Sequence, residues 1–118
     1  MGCAAQTTPK GHYLLSEFET MGLPKRLIER LSELGLTTPT PIQARAIPEA
    51  LNGHDVLGLA QTGTGKTASF TLPMITMLGR GRARARMPRS LVLAPTRELA
   101  AQVAENFETY SKHVKLSM

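Results

Sequence analysis

Asp55-Val56-Leu57-Gly58-Leu59-Ala60-Gln61-Thr62-Gly63-Thr64-Gly65-Lys66-Thr67 is the stretch on which the fold turns. The run from Asp55 to Ala60 follows the turn signal Asn52-Gly53 and reads as a short buried strand. Ala60 to Thr67 matches G-x-x-x-x-G-K-[ST] with Ala60 standing at the first glycine. Lys66 opens a helix to about Leu78 that carries Phe70, Leu72, Met74, Ile75 and Leu78, and Pro73 should bend or loosen it. Strand, glycine loop and helix follow in the order a phosphate cradle requires. Gly63 and Gly65 let the backbone curl with its N–H groups inward, and the helix N-terminus adds the positive end of its dipole. On this reading Lys66 holds β- and γ-phosphates, and the Thr67 hydroxyl meets a Mg²⁺ that bridges them. A glycine turn with an incidental lysine is the bland alternative; the flanking strand and helix argue against it.

The same alternation extends outward. Ser90-Leu91-Val92-Leu93-Ala94 reads as a second buried strand, and Thr96 to about His113 as a helix with Leu99, Val103, Phe107 and Tyr110 on one face. Val114 to Met118 looks like a strand just beginning. Upstream, Leu27, Ile28, Leu31 and Leu34 form one stripe of a helix from Pro24 to Leu34, with Gly35 suited to the position after it. Thr40-Pro41 is a capping hydroxyl followed by a first-turn proline, so a short helix runs from Pro41 to about Ile47 and Pro48 stops it. Helices alternating with buried strands predict an α/β domain of parallel strands covered by helices. Residues 1–16 have no periodicity and read as an unstructured lead-in, leaving 17–118 as the domain.

Composition narrows the function classes. At 118 residues, 42% apolar and 19% charged, the chain is an ordinary soluble composition for one domain. No apolar run reaches the roughly 20 residues that span a bilayer. A single cysteine, Cys3, and scattered His12, His54 and His113 give neither an internal disulfide nor a zinc pattern. Met1-Gly2-Cys3-Ala4-Ala5-Gln6 starts like an acylation signal but has Gln6 where Ser or Thr is needed, and no secretory segment follows, so a cytoplasmic location is expected. Net charge is +5, and Arg80, Arg82, Arg84, Arg86 and Arg89 account for the whole excess within one acid-free loop. Such a loop suits nucleic-acid phosphates through counterion release, or is a solvated linker; both readings stay open.

Ahead of the phosphate loop, Gly35-Leu36-Thr37-Thr38-Pro39-Thr40-Pro41-Ile42-Gln43 ends in an amide with both donor and acceptor. An amide can bond adenine N6 and N7 together, whereas guanine leaves a mismatch costing about 1–3 kcal/mol when buried. Phe18 could stack on the base. Taken singly, Gln43 reads equally as a solvent-facing helix residue and Phe18 as a core aromatic.

Gly35 to Gln43 resembles the Q motif of DEAD-box RNA helicases; Phe18, 17 positions before Gly35, falls at the place of that family's isolated aromatic, and AQTGTGKT resembles its phosphate loop. Pro95-Thr96-Arg97-Glu98-Leu99-Ala100 resembles its motif Ia. The resemblance covers about residues 16–118 and implies the front part of a RecA-like, P-loop NTPase domain. It implies that Phe18 and Gln43 recognise the adenine of ATP, with the Thr38 backbone nearby and Thr40 tying this segment to the phosphate loop. It implies that Gln61, Thr62, Gly63, Thr64, Gly65, Lys66 and Thr67 hold the phosphates and Mg²⁺, with Lys66 and Thr67 the catalytic pair. Pro95, Thr96 and Arg97 are implied to line the path of an RNA backbone, gripping without reading sequence. The alternative for Thr96 and Arg97 is a helix cap and an exposed pairing.

These residues contain no D-E-A-D, S-A-T or T-P-G-R and no second RecA-like domain. Arginines from such a domain are worth roughly 10³–10⁵ in rate in related phosphoryl transfer, so useful ATP hydrolysis by these residues alone is not expected. Two buried-type strands cannot complete such a sheet, and unpaired apolar edges predict aggregation or weak cooperativity. Two rival classes are another P-loop NTPase and a nucleotide-independent RNA-binding module.

Overall fold

The computed structural model describes residues 17–61, 65–81 and 87–116. The lead-in 1–16, Thr62, Gly63 and Thr64 of the phosphate loop, residues 82–86 of the arginine loop and residues 117–118 lie outside the described residues. A 3-10 turn at Glu19–Met21, unanticipated from the sequence, comes first; its Met21 N–H donates to the Phe18 carbonyl at 3.2 Å. Four helices follow: α1 Lys25–Glu33, α2 Pro41–Leu51, α3 Lys66–Arg80 and α4 Arg97–Tyr110.

Helix α1 forms where the apolar stripe predicts it, burying Leu27 and Leu31 with Ile28 half-buried. It stops at Gly35, whose φ of +76° suits glycine, and two bonds close the end: Leu36 N–H to the Leu31 carbonyl at 2.8 Å and Gly35 N–H to the Ser32 carbonyl at 2.9 Å. Helix α2 corrects the expected stop at Pro48. It runs through the proline to Leu51. Pro48 forfeits only the bond to the Ala44 carbonyl, on an exposed residue that water can solvate, while Ile47 and Leu51 keep the helix anchored to the core. The same closing pattern then recurs, with His54 N–H on the Glu49 carbonyl and Gly53 at φ +81°.

Helix α3 is the central element. It continues through Pro73 and two residues past Leu78, and it packs on α2 and on α4. Its buried face includes Leu72 and Ile75 but also Thr71 and Thr76, whose hydroxyls donate to the Thr67 and Leu72 carbonyls at 2.8 and 2.9 Å. Those internal bonds let polar side chains sit in the core without unpaired groups. The core joins Phe18, Leu23, Leu27, Leu31, Ile47, Ala68, Leu72, Ile75 and Phe107. Helix α4 ends at Tyr110, short of the expected His113. Along its apolar face Phe107 is buried and Val103 and Tyr110 are half-buried, while Leu99 remains exposed. Burial raises the Tyr110 phenol above its ordinary value of 10.0.

A polar tie joins α1 to the end of α4. Arg30 Nε donates to the Thr109 carbonyl at 2.7 Å and its Nη1 meets Glu33 at 3.0 Å. Glu33 in turn faces His113 Nε2 at 2.9 and 3.0 Å.

The expected parallel strands do not form among the described residues. Asp55–Ala60 and Ser90–Ala94 carry no strand pairing, and Leu57, Leu59, Leu91 and Leu93 are 80–87% exposed. Val114 to Leu116 likewise forms no strand: Leu116 N–H turns back to the Val114 carbonyl at 2.9 Å. A strand is defined by its ladder partner, unlike a helix, which closes its own hydrogen bonds. The apolar runs were read correctly as apolar, yet nothing among the described residues lies beside them to pair.

Candidate functional site

The start of α3 and the start of α2 meet. Gly65 is the N-cap of α3, with φ +81° and ψ +25°. Its left-handed backbone turns the chain out of the loop and into the helix, as the glycine in this motif position is expected to do. Lys66, the first helical residue, is exposed, and Thr67 is half-buried. At the first turn of a helix the backbone N–H groups have no intrahelical partner and face an incoming anion, so the geometry at Gly65, Lys66 and Thr67 suits phosphate oxygens. The Ser69 hydroxyl donates to the Lys66 carbonyl, and Ser69 N–H reaches the Gly65 carbonyl at 3.2 Å, closing the first helical bond.

Gln43 bridges the two helices. Its Oε1 accepts the Thr40 N–H at 3.0 Å, and its Nε2 donates to the Gly65 carbonyl at 3.2 Å. The side chain is only 7% exposed, so it is not the solvent-facing helix residue of the bland reading. The bond to Thr40 caps α2 from its third residue. The Thr40-Pro41-Ile42-Gln43 spacing carries that capping signal in the sequence; the reach to Gly65, 22 residues on, has no local signal. Thr40 Oγ1 is buried with no hydrogen-bond partner among the described residues. It stands 3.1 Å from where a Cβ on Gly65 would be, so Thr40 and Gly65 are close neighbours.

The other expected site residues are placed unevenly. Thr38 is exposed just before α2, and Gln61 is exposed ahead of the loop. Phe18 is 2% exposed and packs in the core cluster, the alternative weighed for it from sequence; stacking a base on its face needs room this packing does not leave. Pro95, Thr96 and Arg97 lie together, all exposed, at the start of α4. Thr96 is the N-cap there, and its Oγ1 accepts the Leu99 N–H at 3.2 Å. At the base of the arginine loop, Arg89 donates to the Leu78 carbonyl at 3.0 Å and Arg80 to the Gly22 carbonyl at 3.4 Å. No group of three His, Cys, Asp or Glu that could hold a metal occurs among the described residues, and none of their helices is long and apolar enough to cross a membrane.

Comparison with known proteins matches this arrangement. The family model described as "DEAD/DEAH box helicase" matches residues 40–118. The ATP-dependent RNA helicase DeaD of Escherichia coli (strain K12) is 51% identical over 105 residues, covering 86% of this chain and 16% of that protein. DeaD of Haemophilus influenzae is 48% identical over 98 residues, covering 83% and 16%. The chain thus spans about a sixth of the length of these relatives. Among solved structures, the RNA helicase Prp28 from Chaetomium thermophilum bound to ADP superposes with a TM-score of 0.74 at 41% identity, over 80% of this chain and 23% of that one. A DEAD box protein from Methanococcus jannaschii gives 0.75 at 34% identity, over 84% and 26%. With a family match that begins at Thr40, takes in the Gln43–Gly65 junction and runs on through α4, the chain belongs to the DEAD/DEAH box helicase family.

Proposed function

We propose that these residues are the ATP- and RNA-binding front part of the first RecA-like domain of an ATP-dependent RNA helicase. The observation that carries the reading is the junction of Gln43 with Gly65: a side chain able to read adenine is seated against the residue that opens the phosphate-binding helix. The names of the relatives, ATP-dependent RNA helicases, and the ADP held by the Prp28 structure support it. In this reading Gln61, Thr62, Gly63, Thr64, Gly65, Lys66 and Thr67 surround the phosphates, with Lys66 supplying the cation. The Thr67 hydroxyl is the group that would meet Mg²⁺, which supplies charge neutralisation at the phosphates when bound. Thr38 flanks the base. Phe18 belongs to the adenine side by its place in the sequence, although its ring packs with the core. Pro95, Thr96 and Arg97 grip the RNA backbone, and Asp55–Ala60 and Ser90–Ala94 are sheet strands of the RecA-like fold. A cytoplasmic location goes with this function.

The test is nucleotide titration in the presence of Mg²⁺. ATP and ADP should bind about tenfold or more tightly than GTP, as expected for an amide matched to adenine, and Lys66→Ala should abolish binding. Equal affinity for GTP would make the chain a different P-loop NTPase. No nucleotide binding together with salt-sensitive RNA binding would make it an RNA-binding module.

A further inference from the structure

We infer that Gln43 positions the phosphate loop, in addition to any part it takes in base recognition; the inference rests on the nucleotide-binding reading above. The Gly65 carbonyl takes two donors, Ser69 N–H from below and Gln43 Nε2 from the side, both at 3.2 Å. A trans peptide is planar, so its C=O and N–H point in opposite directions. Holding the Gly65 oxygen therefore aims the Lys66 N–H the other way, out of the helix N-terminus toward the place of a phosphate. The approach is possible only because position 65 is glycine: a Cβ there would stand 2.3 Å from Gln43 Nε2.

Counting groups shows that the two tasks are compatible. A carboxamide has two N–H donors and two lone-pair positions on oxygen. Within the chain one donor goes to the Gly65 carbonyl and one acceptor position to the Thr40 N–H. One donor and one acceptor remain, the pair that adenine N7 and N6 require. Base and loop are then held by opposite sides of one amide, and loss of Gln43 weakens the grip on phosphate even when no base is present.

Inorganic tripolyphosphate with Mg²⁺ is the discriminating probe, because it has no base to read. In the full chain, Gln43→Met keeps length and neutrality but removes both hydrogen bonds. Its tripolyphosphate affinity should fall about three- to tenfold, alongside the loss for ATP. Gln43→Glu keeps the acceptor for the Thr40 N–H, and hence the α2 cap, while losing the donor to Gly65. It should weaken tripolyphosphate as well, with helix content by circular dichroism unchanged, and it carries the test should the methionine variant fail to fold. Weakened ATP binding with unchanged tripolyphosphate binding in these variants would overturn the inference and leave the nucleotide reading standing. Failure of the unaltered chain to bind either ligand would overturn both.

Discussion

Gly65 shows how much one residue can be asked to do. Its backbone is left-handed at φ +81°, a conformation costing other residues about 1–2 kcal/mol, and its missing Cβ leaves the space that Gln43 Nε2 occupies. Gly65→Ala should therefore lower stability by about 1–3 kcal/mol in urea unfolding and weaken ATP by tenfold or more in titration. An alanine variant with native affinity would show that neither the turn nor the Gln43 contact matters to the ligand. The need for glycine at position 65 was legible in the spacing of Gly63, Gly65 and Lys66. Its engagement with Gln43 was not, because a hydrogen bond across 22 residues leaves no periodicity in either segment. For Phe18 two readings were open, and packing against the core, at 2% exposure, is what the structure shows.

Among the elements, α4 combines a structural cap with an exposed start. Thr96 Oγ1 accepts the Leu99 N–H, which leaves its own hydroxyl hydrogen free to be donated to a phosphate oxygen. Thr96→Ala should cost about 1 kcal/mol of stability through the lost cap, read as a lower urea midpoint, and should also weaken RNA in a filter or anisotropy assay. Thr96→Ser should retain most of both. A Thr96→Ala variant with lowered stability and unchanged RNA affinity would reduce Thr96 to its capping role. Element ends were well signalled where glycine and capping chemistry act locally, as at Gly35 and Thr96. They were misread at Pro48, where the anchoring of Ile47 and Leu51 outweighed one missing N–H.

For the molecule as a whole, the tie between α1 and the end of α4 sets an acid limit. Glu33 has its pKa held below the ordinary 4.5, first by the hydrogen bond from His113 and then by that from Arg30. A carboxyl lowered in the folded chain adds stability above its unfolded value, and that contribution disappears as pH falls through the lowered one. Thermal melts of the wild type and Glu33→Gln should differ near neutral pH and converge as pH drops below about 4.5. A difference that persists unchanged into acid would detach Glu33 from the tie.

The helices owe their existence to local chemistry. Apolar stripes, capping hydroxyls, glycines at C-termini and the glycine-lysine loop act over a few residues, and each helix makes its own backbone hydrogen bonds, so these features could be read along the chain. Pairing and enclosure are long-range. Whether Asp55–Ala60 and Ser90–Ala94 become strands depends on a neighbour to supply the ladder, and whether Gln43 touches Gly65 depends on α2 packing against α3. Those outcomes belong to three-dimensional packing, because their hydrogen-bond partners are set by distance in space rather than by distance along the chain.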